Sequence, residues 1–326
     1  MTTPDVISVG YLVAAVLFIL GLKGLGRPRT AVRGNLMGAT GMLVAILVTL
    51  LDQSIISYLT LAVALLIGSV VGVLLAVKVK MTSMPELVAL FNGFGGGASV
   101  LVATASFIEA VDLGSADNRL AIAAGVTALI GAVTFSGSII AFFKLQESLK
   151  GSGFTGLHLV RAAVMLVSVG LVAMVALQPD TRGWLWALVG AGLLLGVLGT
   201  IAIGGADMPV VIALLNAFSG VAASATGFVL DNSLLIIAGS LVGASGLILT
   251  RIMTKAMNRS LVNVIFGAFG ASVVEEANVR AGARPVREAT PEDAAILLAY
   301  ARSAVFVPGY GLAVAQAQHQ LRELGD

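Results

Sequence analysis

The chain has 326 residues, of which 58% are hydrophobic and 11% are charged, and its formal net charge is +2. Soluble domains hold roughly 45–50% apolar residues and about a quarter charged residues, so this composition excludes a water-soluble fold and predicts an integral membrane protein. The chain has no cysteine, which excludes disulfide scaffolds and thiolate metal sites. The lipid bilayer is the expected surrounding, and no nucleic-acid partner is expected.

Nine segments are long and apolar enough to cross a bilayer as α-helices. A bilayer core about 30 Å thick needs roughly 20 apolar residues at a rise of 1.5 Å each. The segments lack the alternating pattern of a membrane barrel, so the predicted fold class is an all-α polytopic membrane protein. The predicted spans are 6–22, 34–51, 56–77, 84–108, 120–143, 160–177, 184–203, 209–230 and 234–252.

Basic residues in and beside the loops predict the orientation of these spans. Twelve lie on one side of the predicted membrane, and only Arg119 and Arg182 lie on the other. The positive-inside rule then places the N-terminus outside and the C-terminus in the cytoplasm. The first span is preceded by no basic residue, so it is not read as a cleaved signal peptide. The twelve are Lys23, Arg27, Arg29, Arg33, Lys78, Lys80, Lys144, Lys150, Arg161, Arg251, Lys255 and Arg259.

The composition changes after residue 269. Residues 270–289 are small, charged and interrupted by Gly and Pro, which is typical of a linker. Thr290 and Pro291 are typical of a helix start, and a helix to about residue 302, an apolar strand at 304–307 and a helix at 312–324 follow. The predicted organisation is a membrane domain at 1–269, a linker at 270–289 and the start of an incomplete Rossmann-like α/β domain at 290–326.

A glycine motif, Gly309-x-Gly311-x-x-Val314, follows the predicted strand and opens the last helix. In dinucleotide-binding folds such glycines allow a tight turn and close approach of the pyrophosphate to a helix N-terminus. Val314 replaces the third glycine of the usual pattern. A chance match in a chain with 39 glycines remains the alternative interpretation.

The fourth and eighth spans resemble each other at an offset of 124 residues, and both start from the same side of the membrane. The repeat is therefore parallel. It places Asn92 and Asn216 at equivalent positions, each on one helix face with a glycine four residues later, Gly96 or Gly220. Two interpretations of the amides stay open: interhelical hydrogen bonds, or orientation of water for proton transfer.

Other polar residues of the spans admit a structural interpretation. Thr134, Ser136 and Ser138 suit hydrogen bonding between helices, and Glu86 and Asp207 at helix starts suit stabilisation by the helix dipole. Titratable groups are absent from the middle of every span. A chain of this kind that moves protons needs a titratable group from another subunit.

Five blocks of the sequence resemble the β subunit of the proton-translocating NAD(P) transhydrogenases. They follow the order of that family over nearly the whole chain, which makes them far more specific than any single motif. The blocks are MPELVA at 84–89, GAVTFSGS at 131–138, GGADMPV at 204–210, KAMNRS at 255–260 and PGYGLAVAQAQ at 308–318.

The resemblance implies an activity, cofactors and partners. The implied complex transfers hydride between NADH on an α-subunit domain and NADP⁺ on the β-subunit domain, coupled to inward proton movement across the cell inner membrane. The implied partner is an α subunit that carries the NAD(H) domain and further membrane helices, in a dimer of such units.

By motif match, the resemblance also implies site residues. Asn92, Ser138 and Asn216 fall on positions that line the proposed proton path. Asp207 and Arg259 fall on the cytoplasmic side, near the NADP(H) domain and its linker.

The implied NADP(H) contacts fall on the glycine turn. They are Gly309, Tyr310, Gly311, Ala313 and Val314.

The chain departs from the family pattern in two ways. Many members carry a histidine where this chain has Asn92, which favours a proton-carrying histidine from the α subunit. The family's NADP(H) domain also continues beyond residue 326, so the chain alone is expected to bind NADP(H) poorly and to be inactive. A secondary transporter with parallel repeats and a nucleotide-sensing tail, or a purely structural anchor, are the alternatives from other classes.

Overall fold

The computed structural model describes residues 3–51, 58–149, 156–258, 260–266 and 290–325. The chain divides into two units, Met1–Phe269 and Gly270–Asp326. All regular structure in the described residues of both units is helical.

In the described part of the first unit, nine helices are long and apolar enough to cross a membrane, which confirms the nine predicted spans and the all-α class. Most of the helices extend a few residues beyond the apolar segment, because helical hydrogen bonding continues into the flanking polar residues. The helices are α1 Thr3–Leu25, α2 Pro28–Leu50, α3 Tyr58–Lys78, α4 Met84–Asp112, α5 Asn118–Leu145, α6 Leu157–Leu177, α7 Arg182–Ile201, α8 Met208–Val229 and α9 Ser233–Ala256, followed by the short α10 Leu261–Phe266.

Local sequence determines where several of these helices begin. The Asp117 carboxylate accepts a hydrogen bond of 2.8 Å from the backbone N–H of Leu120 at the start of α5. The Asn232 side chain accepts one of 3.1 Å from Leu235 at the start of α9. Such caps satisfy backbone donors that have no partner within the helix.

The internal repeat is visible in the backbone as well as in the sequence. A single 3₁₀ turn precedes α4, at Met81–Ser83, and another precedes α8, at Gly205–Asp207. Both helices then carry a proline in the first turn, where the missing backbone N–H costs no hydrogen bond. The two copies therefore enter the membrane with the same local geometry.

Helix α5 lies at the centre of the first unit and packs against α4, α6, α7 and α8. Helix α8 pairs with α9, and α1 pairs with α2 and also contacts α9. Small residues allow these close pairs, as expected when helices pack in lipid without a hydrophobic driving force between them. Helix α3 has no buried residue within the described part of the chain.

The second unit begins with α11, Pro291–Ala299, at the predicted start. Thr290 and Asp293 form a capping box in which each side chain accepts a hydrogen bond from the other residue's backbone N–H. The backbone N–H of Glu292 and the hydroxyl of Thr290 hold the pKa of the Glu292 carboxyl below its usual range.

The rest of the described second unit differs from the prediction. Residues 304–307 form no strand, and the predicted helix at 312–324 is two short helices, α12 Tyr310–Val314 and α13 Gln318–Gly325. A strand requires a hydrogen-bonded neighbour, and the described residues supply none, so Val305 and Val307 are more than four-fifths exposed. Gln316 adopts a positive φ of 53° and interrupts the last helix.

Candidate functional site

Two of the predicted site residues meet between α4 and α5. The Asn92 side-chain amide donates a hydrogen bond of 3.0 Å to the Ser138 hydroxyl. Asn92 is only 9% exposed and Ser138 only 1% exposed. A buried amide is costly unless it is hydrogen-bonded, so this bond holds the Asn92 side chain in a defined orientation.

A cavity of about 480 Å³ lies beside this pair, between α4, α8 and α9. Asn92 and Asn216 both line it, which brings the two equivalent amides of the repeat to one space. The rest of the wall is mostly apolar or glycine. The lining also includes Val88, Phe91, Gly95, Ser219, Gly220, Ala223, Leu235, Ala238, Gly239 and Val242.

Asn216 differs from Asn92 in its surroundings. It is half-buried, and its side chain makes no hydrogen bond with any other part of the described chain. The hydroxyl of the nearby Ser219 donates to the backbone carbonyl of Asn92 at 3.4 Å, which connects α8 to α4. The amide of Asn216 therefore has hydrogen-bonding capacity available for water in the cavity.

The other hydroxyls of α5 do not link helices. Thr134 donates to the carbonyl of Ile130 at 2.7 Å, and Ser136 donates to the carbonyl of Ala132 at 3.0 Å. Both acceptors lie one turn earlier in the same helix. The structural interpretation of Thr134 and Ser136 as interhelical contacts is therefore wrong, and Ser138 alone of the three bonds a neighbouring helix in the described structure.

No Asp, Glu, His, Lys or Arg lines the cavity in the described part of the chain. Asparagine and serine do not titrate near neutral pH, so these side chains can hold and orient water but cannot change their own charge. The chemistry available here is the alignment of water molecules along hydrogen bonds.

Asp207 lies at the end of the 3₁₀ turn that leads into α8, outside the cavity. Its side chain is partly buried. Arg259, which the resemblance pairs with the same region, lies outside the described residues.

Sequence reasoning missed two buried cations next to this turn. The Lys144 ammonium donates to the backbone carbonyl of Ile203, and Arg161 donates to the carbonyls of Leu198 and Gly199 at 2.7 and 3.2 Å. Lys144 is 6% and Arg161 7% exposed. Arg161 binds carbonyls in the last turn of α7, where positive charge is favoured by the helix dipole, and Lys144 binds a carbonyl two residues beyond the end of that helix.

In the sequence both cations counted only toward the orientation of the spans. The one available signal was that each lies inside or beside an apolar segment, because a charge there needs a partner. Their partners are backbone carbonyls at and just beyond the end of α7, and no sequence pattern identifies those.

The glycine motif lies at the start of α12. Tyr310, Ala313 and Val314 fall in this helix, and Gly309 directly precedes it. A Cβ atom added at Gly309 or Gly311 would meet no other atom within 4 Å. The backbone at both glycines is therefore open to a ligand, as a phosphate-binding turn requires.

Comparison with known proteins identifies the family of the chain. A profile of the NAD(P) transhydrogenase beta subunit family matches residues 7–326. The NAD(P) transhydrogenase subunit beta of Rhodospirillum rubrum is 48% identical over 335 aligned positions, which cover 99% of this chain and 71% of the relative. A second sequence of the same name, from a defined strain of that organism, shows the same identity and coverage. The chain belongs to the NAD(P) transhydrogenase beta subunit family.

Proposed function

We propose that the chain is the membrane-spanning β subunit of a complex that couples hydride transfer between NADH and NADP⁺ to inward proton translocation. The observation that carries the proposal is the cavity shared by Asn92 and Asn216 inside a chain of this family. The subunit name of the relatives supports partnership with an α subunit, and the proposal adds that two such units form a dimer.

Asn92, Ser138 and Asn216 form the proton path in this proposal. The bond to Ser138 orients the Asn92 amide, while Asn216 faces the same cavity without a partner in the described structure. Water held between the two amides carries the proton. Since neither amide titrates, the charge-changing group is a histidine supplied by the α subunit.

The second unit is proposed to contribute part of the NADP(H) site, at Gly309, Tyr310, Gly311, Ala313 and Val314. The open backbone at the two glycines supports this assignment, because the pyrophosphate needs close approach to backbone N–H groups. When bound there, NADP⁺ supplies the nicotinamide that accepts hydride, and NAD(H) occupies the α subunit.

Coupling is assigned to the segments that join these functions. The proposed domains are the membrane domain 1–269, the linker 270–289 and the NADP(H)-binding portion 290–326. Asp207 and Arg259 communicate the redox state of the nucleotide to the membrane helices. The oxidised and the reduced nucleotide must make different contacts with the protein and so favour different arrangements of the membrane helices. This is necessary because a ligand shifts an equilibrium only when its affinity for the two arrangements differs.

The proposed location is the cell inner membrane, with the N-terminus outside and the C-terminus in the cytoplasm. The distribution of Lys and Arg between the two sides supports this orientation. A secondary transporter is not favoured, because such proteins place substrate at broken helices, whereas α4 and α8 run without interruption.

The test is Asn92→Ala in the complete complex, reconstituted into liposomes. Loss of the oriented amide should slow proton-coupled turnover on the order of tenfold to a hundredfold, because misplacing one group in a path has effects of this size. Hydride exchange between the nucleotide domains should continue at nearly its original rate. A pH-sensitive dye inside the liposomes reports proton movement, and absorbance of the reduced nicotinamide reports hydride exchange.

The matched control is Asn35→Ala, which removes an exposed asparagine from α2 far along the chain from the cavity. It should leave both rates unchanged. Equal loss of both rates in Asn92→Ala, in a complex that still assembles, would refute the role of Asn92 in the proton path.

A further inference from the structure

A second cavity, of about 690 Å³, lies where α1 turns into α2, at the membrane side that is predicted to be cytoplasmic. Lys23, Arg27 and Arg33 line it together with Thr30, and all four side chains are exposed. We call this cavity, with these four residues, the hairpin pocket.

The hairpin pocket is formed by a close helix–helix crossing. A Cβ atom added at Gly24 would lie 2.8 Å from the Cα of Gly34, so only glycines permit this approach. The Thr30 hydroxyl donates to the carbonyl of Gly24 at 2.7 Å and fixes the turn. The three cations are therefore attached to a rigid backbone.

No Asp or Glu is among the described residues that line the hairpin pocket. The sequence contains no Asp or Glu from residue 6 to residue 51. The salt bridge found among the described residues joins Arg182, at the start of α7, to Asp112, at the end of α4. Among the lining residues, an anion in the pocket would therefore meet three cations and no carboxylate.

The deeper wall of the pocket is apolar. Leu20 and Met37 line it, and they are 44% and 39% exposed. Exposed apolar side chains continue along both helices into the membrane region, including Val16 on α1 and Leu43 on α2. Cations above an apolar groove fit a molecule with an anionic head and a hydrocarbon tail.

We propose that the hairpin pocket binds the phosphate group of an anionic phospholipid, with the acyl chains lying along α1 and α2. Arginine matches phosphate oxygens with two parallel N–H donors, and basic pockets between membrane helices are suited to lipid headgroups. The orientation of the helices requires only that positive charges lie in this turn, and it does not require them to surround one cavity. Arg29 adds a positive charge to the same turn and does not line the pocket.

The test compares Arg33→Gln with Arg29→Gln in the complete complex, since both remove one positive charge from the same turn. The complex is placed in nanodiscs of phosphatidylcholine doped with phosphatidylglycerol, and lipid retained after extraction is counted by native mass spectrometry. Arg33→Gln should weaken phosphatidylglycerol retention about fivefold, and Arg29→Gln should change it less than twofold. Arg33→Lys, which keeps the charge but not the two parallel donors, should restore only part of the retention.

A parallel arm adds inorganic phosphate during extraction. Continued retention of phosphatidylglycerol supports a lipid headgroup, whereas displacement by phosphate identifies a soluble anion as the ligand and overturns the lipid assignment. Equal losses in Arg33→Gln and Arg29→Gln would show only general surface attraction. Loss of the α subunit from Arg33→Gln, with lipid retention unchanged, would assign the surface to a protein contact instead.

Discussion

The helix pairs α4–α5 and α8–α9 share their backbone geometry but differ in the hydrogen bonds that their polar side chains make. Each first helix follows a 3₁₀ turn, and each meets its neighbour at an equivalent glycine, Gly96 or Gly220. Yet Asn92 is hydrogen-bonded to the neighbouring helix and Asn216 is not, within the described chain. A repeat can therefore preserve helix packing while assigning different tasks to equivalent side chains.

The difference arises from the second helix of each pair. In α5, Ser138 projects its hydroxyl toward the amide of Asn92. In α9, Gly246 lies against Ala217, so backbone contact replaces a polar contact near Asn216. The hydroxyl pair that links α8 and α9, Ser224 with Ser240 at 3.0 Å, lies about two turns further along α8.

The shared glycine contact gives the largest expected effect. A Cβ atom at Gly220 would come within 2.7 Å of the Gly243 Cα and 2.8 Å of the Gly239 carbonyl oxygen. Gly220→Ala should therefore push α8 from α9 and lower the free energy of unfolding by about 1–3 kcal/mol. The measurement is thermal unfolding of the complex in detergent, followed by circular dichroism.

The two pairs should differ even at this glycine. The nearest atoms to a Cβ at Gly96 lie 2.9 Å away, whereas a Cβ at Gly220 would lie closer still to the backbone nitrogen of Gly243, so Gly96→Ala should lose less stability than Gly220→Ala. Gly199→Ala is the control, because a Cβ there would meet no atom within 4 Å. A Gly220→Ala protein as stable as this control would contradict the inference that a close glycine contact holds α8 against α9.

The fold was predictable to the extent that it depends on the bilayer. Membrane thickness sets the length of an apolar span, so nine spans and their approximate ends follow from composition alone. Repeat similarity also identified the glycines that bring the paired helices together. The prediction of a strand at 304–307 was wrong because a strand needs hydrogen-bonded neighbours that are distant in sequence, and the local apolar pattern does not show whether they exist.

The amide difference gives an effect of intermediate size. Asn92→Ala should lower the free energy of unfolding by about 0.6 kcal/mol, the average for hydrogen bonds between membrane helices, and by no more than about 1.7 kcal/mol, the largest such value. Asn216→Ala should lower it by less than half as much, because its side chain has no partner in the described structure. Thermal unfolding of Asn92→Ala, Ser138→Ala and their double variant measures the coupling between the two side chains.

If the two residues are coupled, the double variant should be little less stable than either single one. Strict additivity of the two losses would contradict a direct bond, and equal losses for Asn92→Ala and Asn216→Ala would contradict the proposed difference between the pairs.

The candidate site was only partly predictable. The repeat singled out Asn92 and Asn216 without any structure, because two amides at equivalent positions in apolar spans are unusual and each needs a partner. Which of them has a partner depends on the rotation of the neighbouring helix. The same limit applies to Lys144, whose acceptor is a backbone carbonyl of a distant segment, and sequence contains no record of such an acceptor.

The smallest expected effect concerns the contact between the pairs themselves. Ser219 occupies the position in α8 that Gly95 occupies in α4, and a Cβ at Gly95 would lie 3.3 Å from the Ser219 hydroxyl. The two positions therefore face each other. The bond from Ser219 to the Asn92 carbonyl is long, at 3.4 Å, so it is weaker than an ordinary hydrogen bond.

Ser219→Ala should therefore lower the free energy of unfolding by less than about 0.5 kcal/mol, near the lower end for a hydrogen bond. The control is Ser245→Ala, whose hydroxyl donates within its own helix to the carbonyl of Leu241. The informative measurement is proton-coupled turnover, which Ser219→Ala should reduce only slightly, since the side-chain amides remain in place. A loss as large as that of Asn92→Ala would instead place Ser219 in the proton path and make the junction between the pairs, rather than the α4–α5 pair, the centre of the site.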